Sequence, residues 1–179
     1  MLQKIIIFLT ILILAAAQVS LFPNLMPGGL APDAVLLLVI FWAARYRFDR
    51  VWLRVALAGL ILDVLTSSAL GLNVAAFAIA AFGVGSLAKR LKAAQKPLAT
   101  LVLFGFVVFG TLAYGFSFTA LAVAASHFSG VVTTQFSGAW LAGLFFRIIY
   151  NLILFGILYW PFRKMEIFFQ VAPTKTLIK

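Results

Sequence analysis

Long apolar runs, each closed by a short polar or basic segment, recur along all 179 residues of the chain. Runs able to cross about 30 Å of hydrocarbon at about 1.5 Å per helical residue fall near residues 5–22, 31–46, 53–70, 73–88, 98–126 and 137–161. The pattern predicts an all-α integral membrane protein, with six transmembrane helices in one bundle and a single membrane domain over residues 1–179. The second run is short and begins at Pro32-Asp33, where proline suits a first helical turn and a carboxylate suits the positive end of the helix dipole. The fifth carries Gly105, Gly110 and Gly115, which predicts tilting or a kink near Gly115. Between the third and fourth runs, Gly71 is placed to end one helix and Asn73 to cap the next. So short a connection makes these two helices antiparallel neighbours. After Glu166, Ile167, Phe168, Phe169 and Val171 among polar residues leave two readings open, a segment lying on the membrane surface or a frayed end.

Charge fixes the expected orientation. Lys4 precedes the first run; Arg45, Arg47, Arg50 and Arg54 follow the second; Lys89, Arg90, Lys92 and Lys96 follow the fourth; Arg163, Lys164, Lys175 and Lys179 follow the sixth. The connections near 23–30, 71–72 and 127–136 contain no Lys or Arg. With six spans every basic segment falls on one side, and the excess of positive charge assigns that side, with both termini, to the cytoplasm. Five or seven spans would put basic clusters on both faces. Trp52 and Trp160 fall at the expected inner boundary and Trp140 near the outer one. Residues 1–20 also admit a reading as a cleaved signal peptide, but the apolar stretch is longer than a usual signal core and Leu21-Phe22-Pro23 extends it to a full span.

Composition narrows the function. With 65% hydrophobic and 10% charged residues, a soluble domain would lack enough polar surface. The formal charge of +10 lies in loop clusters, so anionic lipid and not nucleic acid is the expected partner of the basic inner loops. The chain has no cysteine and one histidine, His127, which excludes thiolate chemistry and thiolate metal sites. It contains no Gly-rich phosphate loop, HExxH, GxSxG or Asp-rich metal-diphosphate motif. Ser126 beside His127 is adjacency in sequence and not a triad. No catalytic, cofactor-binding or metal-ligating residues are assigned, and the chain is not expected to be an enzyme.

Asp63 and Arg147 are the charges set well inside predicted spans, and each costs a few kcal/mol at mid-bilayer unless paired or hydrated. Counting back from Leu70 places Asp63 about 10 Å deep, and Arg147 lies about 15 Å below the start of the sixth run. A pairing of Asp63 with Arg147 follows as an expectation; a conduction or ligand role, or separate partners such as water or another subunit, stay open. Ala56, Gly59, Asp63 and Ser67 share one helical face, and Ala139, Gly143, Arg147 and Asn151 share another. Small residues at this spacing favour close helix approach, and Asn73 and Asn151 are read as interhelical hydrogen-bonders.

The stretch Pro32-Asp33 leading into Ala34 to Trp42, then Gly59-Leu60-Ile61-Leu62-Asp63, then Leu70-Gly71-Leu72-Asn73, resembles the rod shape-determining protein MreD family. Tyr150-Asn151-Leu152 with Arg163-Lys164 is similar to the family's last helix. The specific element is G-x-x-x-D followed by a short L-G loop. The resemblance implies a non-enzymatic inner-membrane scaffold subunit of the bacterial cell-elongation complex. Such a subunit binds an MreC-like single-span partner and helps couple MreB and wall-synthesis enzymes to peptidoglycan synthesis. It also implies a fold similar to the substrate-binding subunits of energy-coupling-factor transporters, which makes a vitamin-transporter subunit the alternative. Lateral docking of a partner helix is expected on the small-residue face of the fourth run, at Ala76, Ala80, Gly83 and Gly85.

Overall fold

The helix nearest the centre is the shortest of the six. In the computed structural model, which describes residues 2–25, 31–91, 99–129 and 136–168, helices occur at each of the six expected places. Helix α1 runs over Leu2–Ala16, then through a π-helical turn at Ala17–Leu21 into Phe22–Leu25. The others are α2 (Ala34–Arg45), α3 (Phe48–Thr66), α4 (Leu72–Leu91), α5 (Ala99–Ser129) and α6 (Gly138–Phe168). No strand occurs among the described residues.

Ala34 to Ala43 are buried without a break, as expected for a helix apolar on every side. Helix α2 touches all five other helices. At 12 residues it spans only about 18 Å. It can be short because protein, and not lipid, surrounds the extended backbone at its ends. Asp33 is the N-cap residue, with φ −93° and ψ 77° and no side-chain capping bond. Pro32 precedes the helix, contrary to the expectation that it opens the first turn.

The π-turn in α1 has a local cause. Pro23 has no N–H to donate, and its ring crowds the carbonyl four residues back, that of Val19. Widening the turn relieves the clash, and the Phe22 N–H bonds to the Ala17 carbonyl instead.

Helices α3 and α4 form the tight antiparallel hairpin expected from their short link, but its chemistry differs from the expectation. Ser67, in the left-handed region at φ 52°, ends α3, and Gly71, at φ 93°, sits in the turn that opens α4. Asn73 lies inside α4, one residue past its start. Helix α5 is one continuous α-helix through Gly115, reaching Ser129 and so including His127. Its glycines mark close contacts: a Cβ on Gly110 would fall 2.5 Å from Ile40, and one on Gly115 would fall 2.7 Å from Leu144. Helix α6 continues past Pro161 to Phe168. The apolar tail beyond it lies outside the described residues.

Side-chain contacts fix which helix ends lie together. Phe41 meets Phe162, Phe48 meets Phe82, the Thr10 hydroxyl approaches the Met165 sulfur, and Gly85 lies beside the Ala43 carbonyl. The C-terminal ends of α2, α4 and α6 therefore share one end of the bundle with the start of α3. Arg45, Arg47, Arg50, Arg54, Lys89, Arg90, Arg163 and Lys164 gather there. At this end Arg54 lies over Trp42 and Lys164 over Trp160, and Arg47 donates to Asp49 at 3.1 Å. That bond holds the Asp49 carboxyl below the ordinary carboxylate range.

The outer surface is greasy. Ile13, Phe82, Leu101, Phe145, Ile153 and Ile157 are among its exposed side chains, a surface that would aggregate in water and suits lipid. Four helices, over Ile5–Asn24, Leu72–Leu91, Leu101–Ser126 and Gly138–Met165, are long and apolar enough to cross a membrane.

Candidate functional site

Two polar clusters lie toward the end of the bundle away from the basic residues. The first is built on Asp63, one turn before α3 ends. Its Oδ1 accepts from the Ser68 hydroxyl at 2.8 Å, the Asn73 N–H at 3.0 Å and the Asn73 side-chain amide at 2.9 Å, while Oδ2 accepts from the Gly71 N–H at 2.8 Å. The carboxylate thus closes the turn and sits on the first N–H groups of α4, where the helix dipole favours negative charge. Tyr114 of α5 donates to Asn73 Oδ1 at 2.7 Å, which carries the cluster to a third helix.

The G-x-x-x-D pattern has its reason here. A Cβ on Gly59 would come within 2.5 Å of the Val74 Cα and 2.6 Å of its nitrogen. Only glycine lets α3 approach the backbone of α4 closely enough for Asp63, four residues on, to reach that helix's N-terminus.

The second cluster is built on Asp33, which is 6% exposed. Its N–H donates to Asn151 Oδ1 at 2.7 Å, and the Asn151 amide donates to Thr111 at 3.0 Å. The Gln18 carbonyl oxygen accepts from the Val35 N–H at 3.0 Å, and its amide donates to Asp33 Oδ1 at 3.3 Å. Gln18 and Asn151 therefore supply the acceptors that the free N–H groups at the start of α2 require. Arg147 Nε lies 3.6 Å from Asp33 Oδ2, and neither atom has a hydrogen-bond partner.

This geometry corrects the expected pairing. Arg147 faces Asp33 and not Asp63, whose oxygens are occupied by the turn. Combining Asp33→Asn with Arg147→Gln is expected to cost less than the two single changes added, with a coupling of about 1–3 kcal/mol in reversible unfolding in detergent. Asp63→Asn with Arg147→Gln is expected to be additive within about 0.5 kcal/mol.

Sequence reasoning missed Gln18, which reads as a boundary residue, and Thr111 and Tyr114, which read as ordinary members of an apolar helix. Thr111 and Tyr114 stand three residues apart on α5 and so share a face. That spacing was the available signal. Together the two clusters draw a side chain or backbone group from all six helices.

Two other expectations change. Of the α4 face expected to dock a partner, Ala76, Ala80 and Gly85 are buried within the bundle, and Gly83 is half-buried against the Phe109 ring of α5, so this face is not open to a partner. The small-residue face of α6 at Ala139 and Gly143 does not close completely on its neighbour: with Arg147 it lines a cleft of about 200 Å³. A second, open cleft of about 410 Å³ is also lined by Arg147, with Gln18, Asp33, Thr66 and Ser67. No group of three or more His, Cys, Asp or Glu residues able to hold a metal occurs among the described residues.

No curated protein and no solved structure matches the chain. A family model described as rod shape-determining protein MreD matches residues 1–166, which takes in both polar clusters and all six helices up to Glu166. The chain therefore belongs to the MreD family of rod shape-determining membrane proteins.

Proposed function

We propose that this chain is a six-span scaffold of the inner membrane within the cell-elongation complex, forming one membrane domain with Lys4 and Arg163-Lys164 on the cytoplasmic side. It would bind an MreC-like single-span protein and help couple MreB to peptidoglycan synthesis without catalysing a reaction. The observation that carries this reading is the use of the buried polar groups: Asp63, Asn73, Tyr114, Asn151 and Thr111 bond to one another's helices. Such a core makes a rigid platform whose outer surface is left for lateral contacts.

Helix α2 and the charged helix α3 complete the six spans in this reading. At 12 residues, α2 is short for a membrane crossing. Its enclosure by the other five helices is what allows it to sit at membrane depth. The basic end then faces anionic lipid on the cytoplasmic side. With the small-residue face of α4 packed inside the bundle, the partner helix is expected on the exposed faces of α1 or α6.

Copurification from native membranes tests the assignment. An MreC-like protein recovered with the tagged chain is the expected result. Recovery of an ATPase pair and a bound vitamin, with no such partner, would replace the scaffold with a transporter subunit.

A further inference from the structure

Arg147 lines two clefts of opposite character. The larger, about 410 Å³, is lined by the polar groups Gln18, Asp33, Thr66 and Ser67, and falls within the range of about 300–1,000 Å³ typical of small-molecule sites. The smaller, about 200 Å³, is lined by Gly115, Phe118, Trp140 and Leu144. A polar chamber and an apolar chamber that share one lining cation match a molecule with a polar head and an apolar chain.

The unsatisfied groups say which head. A guanidinium has five N–H donors, yet among the described residues the buried Nε of Arg147 has no hydrogen-bond partner. Beside it, Asp33 keeps Oδ1 for Gln18, while Oδ2 is buried without a donor. At 3.6 Å the two approach each other by charge alone. One orphaned guanidinium donor and one orphaned carboxylate oxygen call for a ligand that both accepts and donates. A simple anion would satisfy Arg147 but meet the Asp33 carboxylate.

We propose that the two clefts together hold one amphiphile with a phosphoethanolamine-type head. Its phosphate accepts from Arg147, whose side chain is about one-third exposed and turns toward the phosphate. Its ammonium donates to Asp33 Oδ2, which that turn releases. The Ser67 hydroxyl at the rim adds a donor, and an acyl chain enters the apolar cleft toward Trp140. The site lies toward the end of the bundle opposite the basic residues, so it differs from any general attraction of those residues for anionic lipid.

The test is lipid titration of the purified full chain in detergent, followed by native mass spectrometry, and it involves no partner protein; its failure leaves the scaffold reading untouched. Phosphatidylethanolamine is expected to bind about ten-fold more tightly than phosphatidylcholine of the same chains, because the choline head has no N–H to give Asp33. The Asp33→Asn/Arg147→Gln double variant keeps the shape and removes both charges; it is expected to lose that preference. Ala139→Leu, on an exposed position lining the apolar cleft, is expected to weaken both lipids. Equal binding of the two lipids by the native chain, or an unchanged preference in the double variant, would overturn the proposal. Binding of free phosphoethanolamine as tight as that of the lipid would overturn the amphiphile.

Discussion

Asp63→Leu is expected to destabilise the protein by about 2–4 kcal/mol, and Asp63→Asn by roughly half as much. Leucine removes the acceptor for the Gly71 and Asn73 N–H groups, the Ser68 hydroxyl and the Asn73 amide together. Each orphaned donor costs about 1–3 kcal/mol when shielded from water. The costs do not simply add, because a loosened turn admits water or headgroups. Asparagine keeps one acceptor oxygen but sets an NH₂ against one of the donors, hence its intermediate position. Neutral hydrogen bonds between membrane helices average only about 0.6 kcal/mol. A loss well above that figure, in reversible unfolding by denaturing detergent, would identify Asp63 as the cap of α4 and not one interhelical contact among many. Tyr114→Phe, which removes only the bond to Asn73, is expected to cost about 1 kcal/mol.

Gly59→Ala is expected to cost about 1–3 kcal/mol, and Gly59→Leu to abolish the fold. The sign is informative, because alanine is the better helix former by about 1 kcal/mol in a helix interior. Any loss must therefore come from contact. The atoms in the way are the Val74 Cα at 2.5 Å and its nitrogen at 2.6 Å. Backbone cannot yield as a side chain would, so α3 and α4 must separate, and Asp63 then draws away from the turn it closes. Gly105 is the internal control. Nothing lies within 4 Å of a Cβ built there, and Gly105→Ala is expected to be neutral or stabilising by up to about 1 kcal/mol. If both substitutions had the same effect, the close α3–α4 approach would not be what Gly59 provides.

These two residues mark how much could be read in advance. The six helical places were legible because lipid demands long uninterrupted apolar runs. The α3–α4 hairpin was legible because its link is short. G-x-x-x-D stood out as a pattern, but its reason needed the backbone of α4, which no spacing along α3 reveals. The mistaken Asp63–Arg147 pairing has a specific origin. Counting depth from Leu70 treated α3 as running to that residue, whereas it ends at Thr66 and turns at Ser67. Asp63 therefore lies one turn from its helix end, where loop N–H groups reach it.

Depth also gives a position along the membrane normal and nothing about which helices are neighbours. Asp33 and Asn151 are 118 residues apart, and only the wrapping of α5 and α6 around α2 brings them together. Gln18 looked like a boundary residue because its partner, the free Val35 N–H, belongs to a helix whose start the proline had placed too early. The α4 small-residue face, expected to dock a partner's helix, packs against helices of this chain instead, because spacing along one helix shows that a close approach is allowed and not which helix makes it.

The central claim is that this bundle sits in a membrane with its basic end in the cytoplasm and its polar clusters toward the outer side. The chain has no cysteine, so a single introduced thiol reports its own side. Ala69→Cys, at the exposed α3–α4 turn, and Arg90→Cys, at the exposed end of α4, should be treated with a membrane-impermeant maleimide in intact spheroplasts. The account predicts labelling of Cys at position 69 without permeabilisation, and labelling at position 90 only after it; labelling at position 90 from outside intact spheroplasts would contradict it.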